Sequence, residues 1–296
     1  MINIVITSFR EPKTIGKAIE GFLNQDIDEK YDITISAPDK ETLDVAKNYQ
    51  KKHKNIKLFK DPGKGKSFAL NMLIPKLNGR IIVLSDGDVF VKENSLKFII
   101  EPFKDKKVGC VTGRPVSIDS RKNIFGYWSH LLCDAGAHEA RLRRARKGEF
   151  LECSGYYWAF RNKIIKKFPT DVAEDTIVPY LFRDKGYSIR YAPEAEVYVK
   201  FPRTLRDFIE QKKRTAKGHE ALARYYDLRK LPRTKSFLNE LKEGYRALLY
   251  PRNLIEVIYT LLLFPMRLYI WMLVFYHTKI KKEFYRDAWR RVESTK

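Results

Sequence analysis

The sequence predicts an α/β fold, built on a mostly parallel mixed sheet and followed by a C-terminal helical segment that associates with a membrane. Three observations carry this expectation. Short apolar strand patterns alternate with helical periodicities through the first half of the chain. The strand pattern at residues 80–84 is apolar and stops abruptly at Ser85, Asp86, Gly87 and Asp88, as a buried parallel strand does at its carboxyl end. Beyond about residue 225 the composition shifts to a basic linker, an amphipathic pattern and a long apolar run, which divides the chain into a domain over 1–225 and a membrane-association region with a basic tail over 226–296.

Residues 2–6 read as a buried strand, and a turn at 8–12 leads to a helix over 14–24 with Ile15, Ala18, Ile19, Phe22 and Leu23 on one face. A strand over 32–36, a helix over 41–52 and a strand over 56–59 complete a βαβαβ opening. A loop at 61–66 enters a helix at 68–77, which precedes the strand at 80–84. The pattern then loosens: strand 108–112, helical stretch 123–147, strand 152–161, helix 176–185, strand 188–192, and a helix from about 204 through the basic stretch 211–217.

Composition excludes several classes. With 44% hydrophobic and 13% aromatic residues in 296, the chain is neither disordered nor fibrous. Lys and Arg number 58 against 36 Asp and Glu, and the net +22 calls for an anionic partner: nucleic acid, a phospholipid surface or a phosphorylated substrate. No zinc-finger spacing or RNA-binding aromatic signature accompanies the charge, so no nucleic-acid partner is expected. Cys110, Cys133 and Cys153 contain no CxxC pair, which argues against a disulfide framework or zinc site and for a reducing compartment. The first residues start a strand without a leader-like segment, so the N-terminal domain is expected in the cytoplasm.

Asp86 and Asp88 sit where an α/β sheet presents ligands, and two carboxylates there suit a divalent ion, Mg2+ or Mn2+, shared with a diphosphate. Glu174 and Asp175 precede an apolar helical pattern, a place for a carboxylate that acts as a base. Gln211 and Arg214 lie on a basic helix, where the guanidinium can neutralise a leaving diphosphate and the amide can hold a hydroxyl. The segment DPGKGKS at 61–67 lacks the first glycine of a phosphate loop, although Lys66 can still meet a phosphate. Ser154 and Gly155 precede Tyr156, Tyr157 and Trp158, which offer either a stacking floor for a sugar or core. His138 and His219 have no metal-ligand spacing.

Taken in order, the strand, DxD, ED and QxxR segments resemble the family 2 glycosyltransferases, inverting enzymes of GT-A fold that include cellulose and hyaluronan synthases and polyprenyl-phosphate sugar transferases. The resemblance runs from about Ile2 to His219. It implies donor contacts from Thr7, Phe9 and Glu11 in the first turn, from Lys66 in the GKSFALN segment, and from Asp86, Gln211 and Arg214 around the diphosphate. It implies metal binding by Asp86 and Asp88, a catalytic Glu174–Asp175 pair with Asp175 as base, and an acceptor side at Ser154, Gly155 and Trp158. Two departures stand out. Thr215 replaces the tryptophan of QxxRW, which favours a single transfer over processive polymerisation. Ser36, Ala37, Pro38 and Asp39 replace the Asp-Asp-Gly-Ser turn, leaving Asp39 as the substitute that meets the nucleotide base of a UDP- or GDP-sugar.

The implied reaction is inverting transfer from a nucleotide-sugar donor to a hydroxyl on a lipid-linked or glycan acceptor at a membrane surface. A polyprenyl-phosphate sugar synthase is an alternative, and a non-catalytic polybasic membrane or nucleic-acid binder is another. A sugar-phosphate nucleotidyltransferase is disfavoured, because the turn at 8–12 has no glycine. Phe237, Leu238, Leu241, Tyr245, Leu248 and Leu249 recur at helical spacing, as in a helix lying on a membrane. Residues 254–276 have only Glu256 and Arg267 charged, and as one helix would span about 34 Å at ~1.5 Å per residue. Pro265, Arg267 and the basic tail (Lys279, Lys281, Lys282, Arg286, Arg290, Arg291) favour a bent segment that dips into the membrane and returns over a single crossing.

Overall fold

A computed structural model describes residues 1–283 and residue 285. The N-terminal half alternates as expected: β1 (Ile2–Thr7), α1 (Ile15–Leu23), β2 (Tyr31–Ala37), α2 (Lys40–Gln50), β3 (Ile56–Lys60), α3 (Lys66–Leu73) and β4 (Ile81–Asp86). It continues with β5 (Phe90–Val91), α4 (Ser95–Ile100), β6 (Val108–Ser117), α5 (Ile124–Leu131), α6 (Glu139–Arg146), β7 (Tyr157–Arg161), α7 (Glu174–Asp184), β8 (Ser188–Val199), α8 (Leu205–Glu220), α9 (Phe237–Glu243) and α10 (Leu254–Phe275).

The strands form one eight-stranded sheet in the order β3-β2-β1-β4-β7-β6-β8-β5. Strands β3, β2, β1 and β4 run parallel; β7 is antiparallel to both its neighbours, β6 pairs in parallel with β8, and β5 is antiparallel to β8. Every residue of β1 is buried, because helices cover both faces of the sheet. Alternate side chains therefore feed two cores. Ile2, Ile4, Ile81 and Val83 meet Ile15, Ile19 and Phe22 of α1, whereas Val5, Ile82 and Leu84 meet Trp158, Phe160, Ile177 and Val178.

Several expectations need correction. Residues 152–156 are not strand: β7 starts at Tyr157, and the backbone N–H of Ser154 donates to Thr112 Oγ1 (2.9 Å) instead of to a ladder. The helical stretch at 123–147 is interrupted at Leu132–His138 by a wider turn of π type, a distortion common at functional sites. Strand β8 continues to Val199 despite Pro193, because the pairing with β6 skips from Thr112–Tyr191 to Arg114–Glu196 and leaves the proline in an irregularity that needs no donor. Strand β5 and helix α4 were not legible, being two and six residues long.

The C-terminal segment docks on the domain. Glu256, Thr260, Leu263, Ile270 and Val274 form the buried stripe of α10, against Tyr127, Trp128 and Leu131 of α5 and Phe208 and Ala216 of α8. The contact is polar at one end: Arg121 forks onto both oxygens of Glu256 (2.9 and 2.8 Å), and Trp128 Nε1 donates to Tyr259 O (2.7 Å). The helix runs through Pro265 without turning back, contrary to the expected dip and return. The amphipathic stretch is α-helical only over α9 and tightens to a 3-10 helix over Gly244–Leu249. Arg286, Arg290 and Arg291 of the basic tail lie outside the described residues.

Candidate active site

The site grows from the point where strand order reverses, between β1 and β4, the place at which an open α/β sheet leaves a crevice. Thr7 and Asp86 are register partners at the ends of these strands, and Thr7 Oγ1 donates to Asp86 Oδ1 (2.9 Å). The same oxygen accepts from Lys66 Nζ at 2.7 Å, and that ammonium also pairs with Glu174 Oε1 at 3.0 Å. Lys66 can reach both because it opens α3 directly after Gly65, whose φ of 114° is a conformation that side-chain-bearing residues rarely adopt. Burial alone would lower the lysine's pKa, but the Asp86 and Glu174 carboxylates outweigh it and raise the pKa instead.

Gly87, between the two aspartates, is required by space. A Cβ there would stand 2.4 Å from Ser8 Oγ and 2.7 Å from Glu11 Oε2, and Ser8 Oγ itself donates to that oxygen (2.7 Å). The first turn and the DxD turn are thus in contact through a residue without a side chain.

Asp175 stands at the second position of α7, behind Glu174. Its Oδ2 lies 2.8 Å from where a Cβ of Gly155 would be, so the absence of a side chain at 155 makes room for the carboxylate. Burial first, and then the Glu174 charge, push its pKa up to about 6, against the opposing pull of Lys235 and Lys66. Deeper in, Glu152 accepts from Tyr180 OH (2.7 Å) and from Thr234 Oγ1, and its Oε2 is 3.4 Å from His219 Nδ1. Burial drives His219 down to about 3, which keeps the ring neutral. Thr234 belongs to the linker after α8, so this contact fastens the linker to the buried Glu152.

Thr7, Phe9, Glu11, Lys66, Asp86, Asp88, Ser154, Gly155, Glu174, Asp175, Gln211 and Arg214 all line one cavity of about 1120 Å3. Two expected members do not. Trp158 is fully buried in the core against Phe160 (ring centroids 5.2 Å): it pairs with Leu84, two residues short of Asp86 and the end of β4, where the sheet face is covered by Ile177 and Val178; Tyr156 takes the place on the wall. Asp39 caps α2 through Thr42 N (2.9 Å) and accepts from Arg10 N (2.7 Å), outside the cavity lining. Burial disfavours its ionisation, but these hydrogen bonds prevail and hold its pKa below the ordinary value.

Sequence reasoning missed that residues after 225 close the site: Thr234, Lys235, Phe237, Leu241, Leu263, Phe264, Pro265, Arg267, Leu268 and Trp271 line the same cavity. It also missed Lys212, although its spacing of four from Phe208 and from Ala216 marks the buried face of α8. For Lys235, in an irregular linker, no periodic signal exists.

The mostly parallel sheet, the carboxylates beyond its strand ends and the basic helix that lines the same cavity define an α/β protein with a ligand crevice at its strand ends. The chain belongs to glycosyltransferase like family 2, whose profile matches residues 2–218. It is 25% identical over 236 residues to the poly-beta-1,6-N-acetyl-D-glucosamine synthase of Staphylococcus epidermidis, with 75% of this chain and 56% of the relative covered. The enzyme of the same name from Staphylococcus aureus strain COL is 28% identical over 251 residues, covering 80% of this chain and 58% of the relative. The chain thus spans little more than half the length of these curated relatives. Among solved structures, a mannosyltransferase from Pyrobaculum calidifontis in complex with GDP-Man and Mn2+ superposes with a TM-score of 0.60 at 17% identity, over 88% of this chain and 72% of that one. S. aureus TarS 1-349 in complex with UDP-GlcNAc gives 0.51 at 14% identity, over 85% and 73%. At such identities these likenesses establish the shared GT-A fold.

Proposed function

We propose that the chain is an inverting glycosyltransferase that moves a sugar from a UDP- or GDP-sugar to an acceptor hydroxyl at a membrane surface. The observation that carries this is the Asp175 carboxylate, held at a pKa of about 6 on the wall of the cavity that also contains Asp86 and Asp88. A base of that strength is ionised at neutral pH yet far more basic than an exposed aspartate.

Asp86 and Asp88 would hold Mg2+ or Mn2+. A pair of carboxylates suits a hard cation that completes its shell with diphosphate and water, and no cluster of three or more acidic, His or Cys groups exists among the described residues to hold the ion alone. When bound, the ion supplies positive charge to the departing diphosphate. The protein's own residues do the rest. The acceptor hydroxyl transfers its proton to Asp175 as its oxygen bonds to the anomeric carbon. The bond from that carbon to the nucleoside diphosphate breaks, and its electron pair leaves on the diphosphate, whose negative charge Arg214 faces from α8. Lys66 fixes Asp86 and Glu174, and thereby the distance between the metal end and the base end of the site.

Membrane association rests on α10 and its neighbours. Outside its docked stripe, α10 exposes Leu254, Ile255, Ile258, Leu261, Leu262, Leu268, Met272 and Phe275, and Leu238, Leu241 and Leu249 continue this surface. It is the one helix among the described residues long and apolar enough to cross a bilayer. The test is binding of UDP- and GDP-sugars to the full chain with and without Mn2+. Wild type should show metal-dependent affinity and release nucleoside diphosphate, and Asp88→Ala should lose the metal dependence. Equal nucleotide affinity in Asp88→Ala at saturating Mn2+ refutes the assignment.

A further inference from the structure

One wall of the cavity is the π-type segment Leu132–His138, which joins α5 to α6. Leu132, Cys133, Ala135, Gly136 and Ala137 line the cavity, and all but the leucine are small. The two members that do not line it are the polar ones, and both are bonded to groups outside the cavity. His138 Nδ1 lies 2.7 Å from Tyr191 OH of β8. Asp134 accepts from Tyr250 OH at Oδ2 (2.6 Å) and from Arg114 Nη2 of β6 at Oδ1 (3.4 Å). A π-type turn contains an extra residue relative to an α-helix and is rarely formed without contacts that hold it. Relaxing this one to α would rotate α6 against α5 by one residue, roughly 100°, and would carry Leu131 or Arg141 off the wall that both now line.

The contact that holds the segment continues into the C-terminal helix. Tyr250 OH, which donates to Asp134, accepts from Arg121 Nη1 (2.8 Å), and the other two nitrogens of Arg121 hold Glu256 in the first turn of α10. The guanidinium also lies over the rings of Tyr250 (4.8 Å) and Tyr127 (5.3 Å), which fixes it in place. At the far end Arg114 pairs with Glu196 of β8 (3.4 Å), so the chain Glu256–Arg121–Tyr250–Asp134–Arg114 runs unbroken from α10 to the sheet. Each bond polarises the next, and removing a middle member leaves its partners unpaired.

We propose that Tyr250 and Asp134 are positioning residues of this cavity: they hold the π register of residues 132–138, and with it the shape of the wall, and Arg121 makes that register depend on the docking of α10. Neither residue touches the reacting groups. The use of the wall in sugar transfer rests on the transferase reading, whereas its register is measurable without sugar or metal. Cys133 reports on it. The thiol lies inside the segment, 2% exposed in the core with Phe201 and Val199, and burial pushes it up to about 12, so it reacts slowly while the register holds. Cys110 and Cys153, the other two cysteines, are buried in the other core and serve as controls.

N-ethylmaleimide labelling of the full chain in detergent, followed at each cysteine by peptide mass spectrometry, tests the proposal. Tyr250→Phe removes only the bridging hydroxyl and should speed labelling of Cys133 by about tenfold or more, the scale of one hydrogen bond to a charged group, while Cys110 and Cys153 change by less than about twofold. Arg121→Gln should do the same. Asp134→Asn, which retains an oxygen to accept from Tyr250, should give a smaller rise. In Tyr250→Phe nucleotide-sugar affinity should stay within about twofold of wild type, while release of nucleoside diphosphate at saturating donor falls by about threefold or more. Unchanged labelling of Cys133 in Tyr250→Phe overturns the bridge, and an equal rise at all three cysteines overturns a role confined to this wall. Unchanged labelling in Arg121→Gln overturns the link to α10, and wild-type release despite faster labelling overturns the positioning role. Failure of the wild-type chain to bind any nucleotide-sugar would refute the transferase reading and leave the register result standing.

Discussion

Asp175→Asn should make the protein more stable while making it nearly inactive, and both effects follow from one environment. The carboxyl has a pKa of about 6 in the fold against 3.8 ordinarily, so ionising it is harder folded than unfolded. A carboxylate with a raised folded pKa contributes no penalty below about pH 4, a growing one between 4 and 6, and the full penalty above. A shift of roughly 2 units corresponds to about 3 kcal/mol. Water reaching the carboxylate from the cavity trims this to about 1–3 kcal/mol. Asparagine keeps the shape and removes the charge. At roughly 2–4 °C per kcal/mol for a chain of this size, the melting temperature in detergent without ligands should rise by about 2–12 °C near pH 8. Near pH 4 the difference should vanish. Turnover should fall at least about a hundredfold with nucleotide affinity retained. An unchanged or lower melting temperature at pH 8, or a gain equally large at pH 4, would refute the placement of a strained charge at 175.

The same pKa sets the pH profile: kcat/KM of wild type should fall about tenfold per unit below pH 6, and a profile flat down to pH 5 would exclude Asp175 as base. Gly87→Ala places a methyl 2.4 Å from Ser8 Oγ and so forces the first turn and the DxD turn apart; donor affinity should drop by about tenfold or more, measured by nucleotide-sugar titration. Ile258→Lys with Leu262→Lys, on the exposed side of α10, should shift the chain from the vesicle-bound to the soluble fraction in flotation and leave nucleotide binding intact. Equal flotation would mean that α10 is not the membrane contact.

What the sequence by itself determined is local or periodic. Uninterrupted apolar runs such as Ile81–Leu84 mark strands covered on both faces, and an acidic turn directly after one marks a ligand-facing strand end, which singled out Asp86 and Asp88 before any coordinates; Glu174, Asp175, Gln211 and Arg214 were singled out by the family resemblance, and all six line one cavity. The apolar length of residues 254–276 likewise fixes a long helix. Depth along a strand is different. Whether Trp158 reaches the crevice or stays in the core depends on its register with Leu84, short of the strand end, and a neighbouring residue, Tyr156, ends up on the wall instead. Only the tertiary structure could bring Lys66 between Asp86 and Glu174, place Asp175 against Gly155, and fold Thr234 and Lys235 back into the cavity of Asp175, more than fifty residues away in sequence. Charge and distance act through space, and a linear pattern records which groups a chain possesses but not which of them will share one cavity.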